Sequence, residues 1–218
     1  MARKMDIDCT QHDFQFTRNW FRNRNLPTFR KYIHPKWAGK PLLYLELGVF
    51  EGMSLTWMMQ HIVTHEESRA VGVDPWLMTR KLDEHLMDGV KQRARHNLTP
   101  WIYPMDAGHT NWKCRLIRGC SAEVLRKMRG RGGFAGITKG SVDICMIDGN
   151  HHSLAVLDDC QQGLPLMKPG GWMLFDDVEN DHTKSDHVKQ GLGVFLEEVG
   201  DRVNFLWKHR YMEAYEKV

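Results

Sequence analysis

Short apolar runs alternate with longer amphipathic stretches along most of this chain. Leu42–Leu47, Arg69–Val73, Cys114–Ile117, Val142–Ile147 and Trp172–Phe175 each read as a buried strand. Between them, Met53–Val63, Arg80–His96, Ser121–Met128 and Ser153–Leu164 read as helices, and Val188–Val199 as a further one. Glycine and proline mark the breaks. Asn97–Asn111 reads as a loop with Pro100, Pro104 and Gly108, Gly130–Gly140 as a glycine-rich turn region, and Lys168–Gly171 as a tight turn. Val203–Trp207 and Tyr211–Tyr215 are late strands. Ahead of the alternation, residues 1–40 are polar, basic and aromatic. Helical pieces at Phe14–Arg24 and Thr28–His34 are expected there, punctuated by Pro27 and Pro35.

Strands alternating with helices predict an α/β fold: a Rossmann-like, doubly wound, mainly parallel sheet with helices on both faces. The expected organisation is an N-terminal helical extension or lid over residues 1–40 and a main domain over 41–218. A chain of 218 residues suits that plan and can bury a full core.

Composition narrows the classes of function. The formal charge is only +3, which asks for no dedicated nucleic-acid or membrane partner. The five cysteines (Cys9, Cys114, Cys120, Cys145, Cys160) are odd in number and form no CxxC pair, so a reducing, cytoplasmic setting is expected. Cys145 reads as core. The N-terminus has basic residues without an apolar stretch after them, and nothing approaches a membrane span.

In parallel sheets, ligands bind beyond the carboxyl ends of the strands. Here those ends are polar. Glu46–Gly52 forms an E-x-G-x-x-x-G loop between a strand and a helix, where glycine permits a sharp turn and close backbone approach. Asp74 closes the next strand and could accept hydrogen bonds from ribose hydroxyls, or cap a loop. Asp148 and the pair Asp176–Asp177 close two more strands. Carboxylates gathered there repel one another, and a hard divalent cation such as Mg²⁺ relieves that repulsion. Loop capping is the plainer reading. His151 could take a proton from a substrate or could only brace a neighbouring aspartate. Asp158 and Asp159 read as a solvated helix face.

Taken in order, LELGVFEGMS, AVGVDPW, IRGCSAEVL, VDICMIDGNHH and KPGGWMLFDDV resemble a class I S-adenosylmethionine-dependent methyltransferase. The nearest subgroup carries I-D-G-x-H and D-D motifs and includes small-molecule O-methyltransferases and cephalosporin-hydroxylase-like proteins. The resemblance covers about residues 40–200. It implies that Glu46, Gly48 and Gly52 border the methionine and ribose of the cofactor, that Asp74 binds the ribose, and that Cys120 and Ser121 lie near the adenine. Many relatives have an acidic residue where Cys120 stands. It further implies a cofactor-side role for Asp148, and a cation held by Asp148, Asp176 and Asp177, with Asp177 standing where catechol-type enzymes have asparagine. His151 matches the subgroup's histidine.

The expected partner is therefore a small-molecule acceptor, with homo-oligomers an open expectation. A nucleic-acid substrate is the alternative, since Arg18, Arg22, Arg24, Arg30, Lys31 and Lys36 alternate with Trp20, Phe21, Phe29, Tyr32 and Trp37, and Arg126, Lys127, Arg129 and Arg131 form a second basic patch. A non-catalytic interaction module is another alternative. An oxidoreductase is disfavoured by the glycine spacing. Residues 1–40, residues 77–113 with their tryptophans, and the segment after Asp177 are expected to choose the acceptor.

Overall fold

A computed structural model describes residues 6–10, 12–77, 84–102, 112–179 and 187–218. Its centre is a seven-stranded sheet in the order β3-β2-β1-β4-β5-β7-β6. The strands are β1 (Leu43–Leu47), β2 (Arg69–Asp74), β3 (Cys114–Arg118), β4 (Val142–Ile147), β5 (Met167–Phe175), β6 (Val203–His209) and β7 (Met212–Lys217). The first five are parallel, and β7 runs antiparallel between β5 and β6. The chain order reverses between β1 and β4, which makes that boundary the switch point where such sheets open a crevice.

Strand side chains alternate between two apolar layers. Tyr44, Ala70, Ile144, Met146 and Leu174 face one layer. Leu45, Val71, Cys145, Ile147 and Met173 face the other. Helices α4 (Met53–His61) and α5 (Glu84–Leu98) cover the first face, and α6 (Ser121–Arg129), α7 (Ser153–Gly163) and α8 (His187–Val199) cover the second. Helix α6 shows why these stretches fold as they do. Val124, Leu125 and Met128 fall on one buried stripe, and Arg126, Lys127 and Arg129 sit at its C-terminal end, where cations suit the helix dipole.

The N-terminal segment differs from the expected pair of punctuated helices. The helical run starts at Trp20, not Phe14: α1 (Trp20–Arg24), α2 (Leu26–Thr28), a π-helical turn over Phe29–Ile33, and α3 (His34–Trp37). Pro27 and Pro35 each sit in a first turn, where a missing N–H is tolerated. The wide π turn lets the backbone continue past Pro35. Phe21, Leu26, Phe29, Ile33 and Trp37 belong to the first apolar layer, together with Trp57 of α4 and Trp172 and Trp207 of the sheet.

Two further differences are local. Lys168–Gly171 lies within β5, because the register against β4 shifts between Val142 and Ile144 and absorbs the turn as an irregularity. Asp159 is buried at 1% exposure, since α6 packs over that side of α7. The expectation of a solvated face therefore holds for Asp158 only in part, and fails for Asp159. The beginning of the expected helix at Arg80, and Tyr103, Pro104 and Gly108, lie outside the described residues. Among the described residues, no helix is long and apolar enough to cross a membrane.

Candidate active site

The carboxyl ends of β3, β2, β1, β4 and β5 bring the sequence-marked residues to one edge of the sheet. After β1 the chain makes a loop with left-handed backbone at Gly48 (φ 92°), Phe50 (φ 51°) and Gly52 (φ 77°). Gly48 is required by contact as well as by conformation: a Cβ there would lie 2.0 Å from the carbonyl oxygen of Asp148. Gly52 opens α4.

Asp74 holds this loop. Its Oδ2 accepts the backbone N–H groups of Val49 and Phe50, each at 2.9 Å, and its Oδ1 accepts that of Trp76 at 2.6 Å. Oδ2 is thereby saturated, and Oδ1 retains a second lone pair that could accept from a ligand. Burial raises its carboxyl, and the three N–H groups oppose that. Glu46 is fully buried and accepts from the Tyr44 hydroxyl and the Ser54 hydroxyl, each at 2.6 Å. Burial pushes its carboxyl up to about 8.

At the β3 end, Cys120 is exposed and precedes α6, and Ser121 begins the helix. Asp159 of α7 lies behind them. Neither of its oxygens makes a well-formed hydrogen bond, and burial pushes its carboxyl up to about 6, with the nearby Ser121 hydroxyl opposing in part.

The carboxylate cluster lies at the ends of β4 and β5. His151 bridges two of its members, with Nε2 3.5 Å from Asp148 Oδ1 and Nδ1 3.7 Å from Asp177 Oδ2. The imidazole keeps 41% of its side-chain surface, so an acceptor can reach it. The Asp148 carboxylate raises its pKa most, against burial, with Asp177 and Asp176 adding to the rise. Asp176 is 6% exposed. Burial raises its carboxyl well above the usual range, and the charges of Asp148 and Asp177 push in the same direction. Asp177 adopts φ 53°, a strained conformation for a non-glycine residue.

Sequence patterns missed the partners of these carboxylates. Arg24 donates to Asp177 Oδ1 at 3.1 Å, and its guanidinium lies 5.2 Å from the Tyr211 ring centre. Asn25 Nδ2 donates to Asp176 Oδ2 at 2.6 Å. Glu51, a spacer inside the glycine motif, is 2% exposed. It accepts from the Thr17 N–H and hydroxyl and pairs with Arg93 at 2.6 Å. Its charge within an otherwise apolar stretch was the available signal. Among the described residues, no three His, Cys, Asp or Glu side chains converge closely enough to cage a cation by themselves.

Of the N-terminal aromatics, Phe21, Phe29 and Trp37 are buried and Tyr32 stacks on Trp207, which leaves Trp20 as the well-exposed one. The patch Arg126–Arg131 lies at the far end of α6 from this edge.

Comparison with known proteins points the same way. Residues 45–178 match the model of a family described as a methyltransferase domain. No curated protein sequence matches the chain. Among solved structures, the MycE methyltransferase of mycinamycin biosynthesis, crystallised with Mg, SAH and mycinamycin VI, is similar at 17% identity and TM-score 0.55. The similarity covers 93% of this chain and 50% of that one, so the chain spans half of MycE. CalS11, a TDP-rhamnose 3'-O-methyltransferase of calicheamicin biosynthesis, is similar at 17% identity and TM-score 0.54, over 91% of this chain and 85% of its own. A Clostridium thermocellum protein described as a candidate rRNA-methylase gives TM-score 0.61 at 13% identity, over 89% and 96% of the two chains. At these identities the likeness is one of fold.

Proposed function

Because the chain belongs to the methyltransferase-domain family and is an S-adenosylmethionine-dependent methyltransferase, we propose that it methylates a hydroxyl oxygen of a small molecule, at the cluster of Asp148, His151, Asp176 and Asp177. The observation that carries this reading is His151. It is reachable from solvent and braced between two carboxylates beside the glycine loop. CalS11, a TDP-rhamnose 3'-O-methyltransferase, offers a precedent for a hydroxyl acceptor on this fold, and MycE one for a small molecule bound beside Mg and SAH.

In this reading Glu46, Gly48 and Gly52 border the cofactor's methionine and ribose, Asp74 accepts from the ribose, and Cys120 and Ser121 line the adenine. Asp148 faces both cofactor and acceptor. S-adenosylmethionine would supply the methyl group, and because an acceptor oxygen would have to be held in line with it, orientation by these residues would carry much of the rate. His151 takes the hydroxyl proton, and Asp148 and Asp177 stabilise the imidazolium that forms.

The donor chemistry fits a divalent cation such as Mg²⁺. Three carboxylates crowd one strand edge, and Asp176 buries an oxygen, Oδ1, that has no partner. Asp148, Asp176 and Asp177 are the carboxylates from which it would draw its ligands; since no three such side chains among the described residues converge closely enough to cage an ion, other oxygen donors would complete its shell. A bound cation would lower the pKa of an acceptor hydroxyl and fix its oxygen.

Calorimetric titration with S-adenosylmethionine and S-adenosylhomocysteine, with Mg²⁺ or EDTA, tests this. Both nucleosides should bind, and Asp176→Asn should weaken the Mg²⁺ effect while leaving S-adenosylhomocysteine affinity within about twofold, a difference under about 0.4 kcal/mol. A folded sample that binds neither nucleoside overturns the reading. Equal loss of cation and nucleoside binding in the variant would place Asp176 in the cofactor pocket.

A further inference from the structure

We propose that Asn25, in the N-terminal segment, is a cation ligand of this site, its carboxamide oxygen acting together with Asp148 and Asp176. The inference rests on the cation reading above and refines it.

Asn25 lies 151 residues from Asp176 in sequence, yet its side chain meets that carboxylate at 2.6 Å in a buried contact. The residue is 5% exposed. Asparagine at a helix start ordinarily caps it through its side chain. Asn25 precedes α2 and makes no such cap. Its backbone is fully engaged: its N–H donates to Phe21 O and its carbonyl accepts from Phe29 N–H. Helix formation therefore does not explain an asparagine here.

What remains is the carboxamide oxygen. Asn25 Oδ1 is buried without a partner, and so is Asp176 Oδ1. Two hydrogen-bonded side chains thus each bury an unpartnered oxygen. Buried acceptors are nearly always matched by a donor, a water or an ion. A carboxamide oxygen is a hard, neutral donor of the kind Mg²⁺ and Ca²⁺ accept. Being neutral, it adds a ligand without adding repulsion to a crowded acidic site.

Charge balance agrees. Arg24, the preceding residue, is paired with Asp177 at 3.1 Å. Asp176 has no ion pair among the described residues and Asp148 has only the His151 imidazole at 3.5 Å, so these two are the carboxylates a divalent ion would serve. The donor set is then two carboxylates and one amide, a combination in which no third acidic or imidazole ligand is needed.

Binding of Mn²⁺, followed by loss of the free-ion EPR signal with S-adenosylhomocysteine present, separates the roles Asn25 could have. The parent should bind Mn²⁺, and Asn25→Ala should bind it at least tenfold more weakly. Asn25→Asp, which keeps an oxygen donor and loses the N–H, should bind at least as tightly as the parent. S-adenosylhomocysteine affinity, measured alongside, reports whether each variant is folded. If the Ala variant does not fold, the Asp variant decides alone.

If Asn25 only donates a hydrogen bond to Asp176, the Asp variant will lose Mn²⁺ or fail to fold, because two carboxylates then face each other, and the proposal falls. It falls equally if both variants bind Mn²⁺ like the parent, with the cation reading left standing. A parent that binds S-adenosylhomocysteine but no Mn²⁺ removes the cation reading, and this inference with it.

Discussion

Glu46 and Gly48 stand two residues apart at the end of β1 and answer to different physics. The Glu46 carboxyl is pushed from 4.5 up to about 8 by burial. Between those values the folded chain holds a proton that the unfolded chain has released, so this group makes stability fall as pH rises from about 5 to about 8. Glu46→Gln keeps one oxygen to accept from one hydroxyl, offers its amide N–H to the other, and removes the titration. In thermal melts at about pH 5.5 and about pH 8, the parent should lose more stability at the higher pH than the variant does. Equal losses would locate the proton elsewhere, with Asp159 the next group to test.

Gly48 is a question of space. At φ 92°, with backbone 2.0 Å from any Cβ, Gly48→Ala forces β1 and the β4 loop apart. A loss of more than about 3 kcal/mol in urea denaturation is expected. A loss under about 1 kcal/mol would mean the loop relaxes freely.

At the scale of elements, legibility followed locality. Val142–Ile147 was readable because all six residues are buried and apolar or hydrogen-bonded. The strand-end aspartates and the glycine loop were readable because each sits at a boundary within a few residues. Contacts made across the fold left no such trace. Nothing near Asn25 or Arg24 announces Asp176 and Asp177, and nothing on α7 announces that α6 covers Asp159.

The Glu51 clamp is another such contact, tying residues 15–17 to the glycine loop and α5 through Thr17, Arg93 and the neighbouring bonds of Asn97. Glu51→Ala leaves Arg93 without its carboxylate and should cost about 1–3 kcal/mol, moderated because Arg93 is partly exposed. Hydrogen exchange at the Thr17 amide should quicken ahead of the strand amides. If Thr17 stays as protected as β1, other contacts hold the segment.

At the scale of the molecule, the two apolar layers are closed by chain segments far apart in sequence. The first layer needs Phe29, Ile33 and Trp37 from near the start and Trp207, Met212 and Ala214 from near the end. Tyr32 stacks on Trp207 at 4.6 Å, Thr28 meets His209 at 2.7 Å, and Arg210 reaches the carbonyl of Asn23. The residues that join the carboxylate cluster, Arg24 and Asn25, lie within this same belt.

That belt sets a timetable for the chain as it is made. Residues 21–37 leave the ribosome well before the β6–β7 surface that covers them. Until the β6–β7 hairpin emerges, Phe29, Ile33 and Trp37 lack much of their cover, and such surface is what chaperones bind and aggregates grow from. Asn25 and Arg24 likewise wait for Asp176 and Asp177. Competence for methyl transfer should therefore arrive only once that hairpin has been made and has closed the belt.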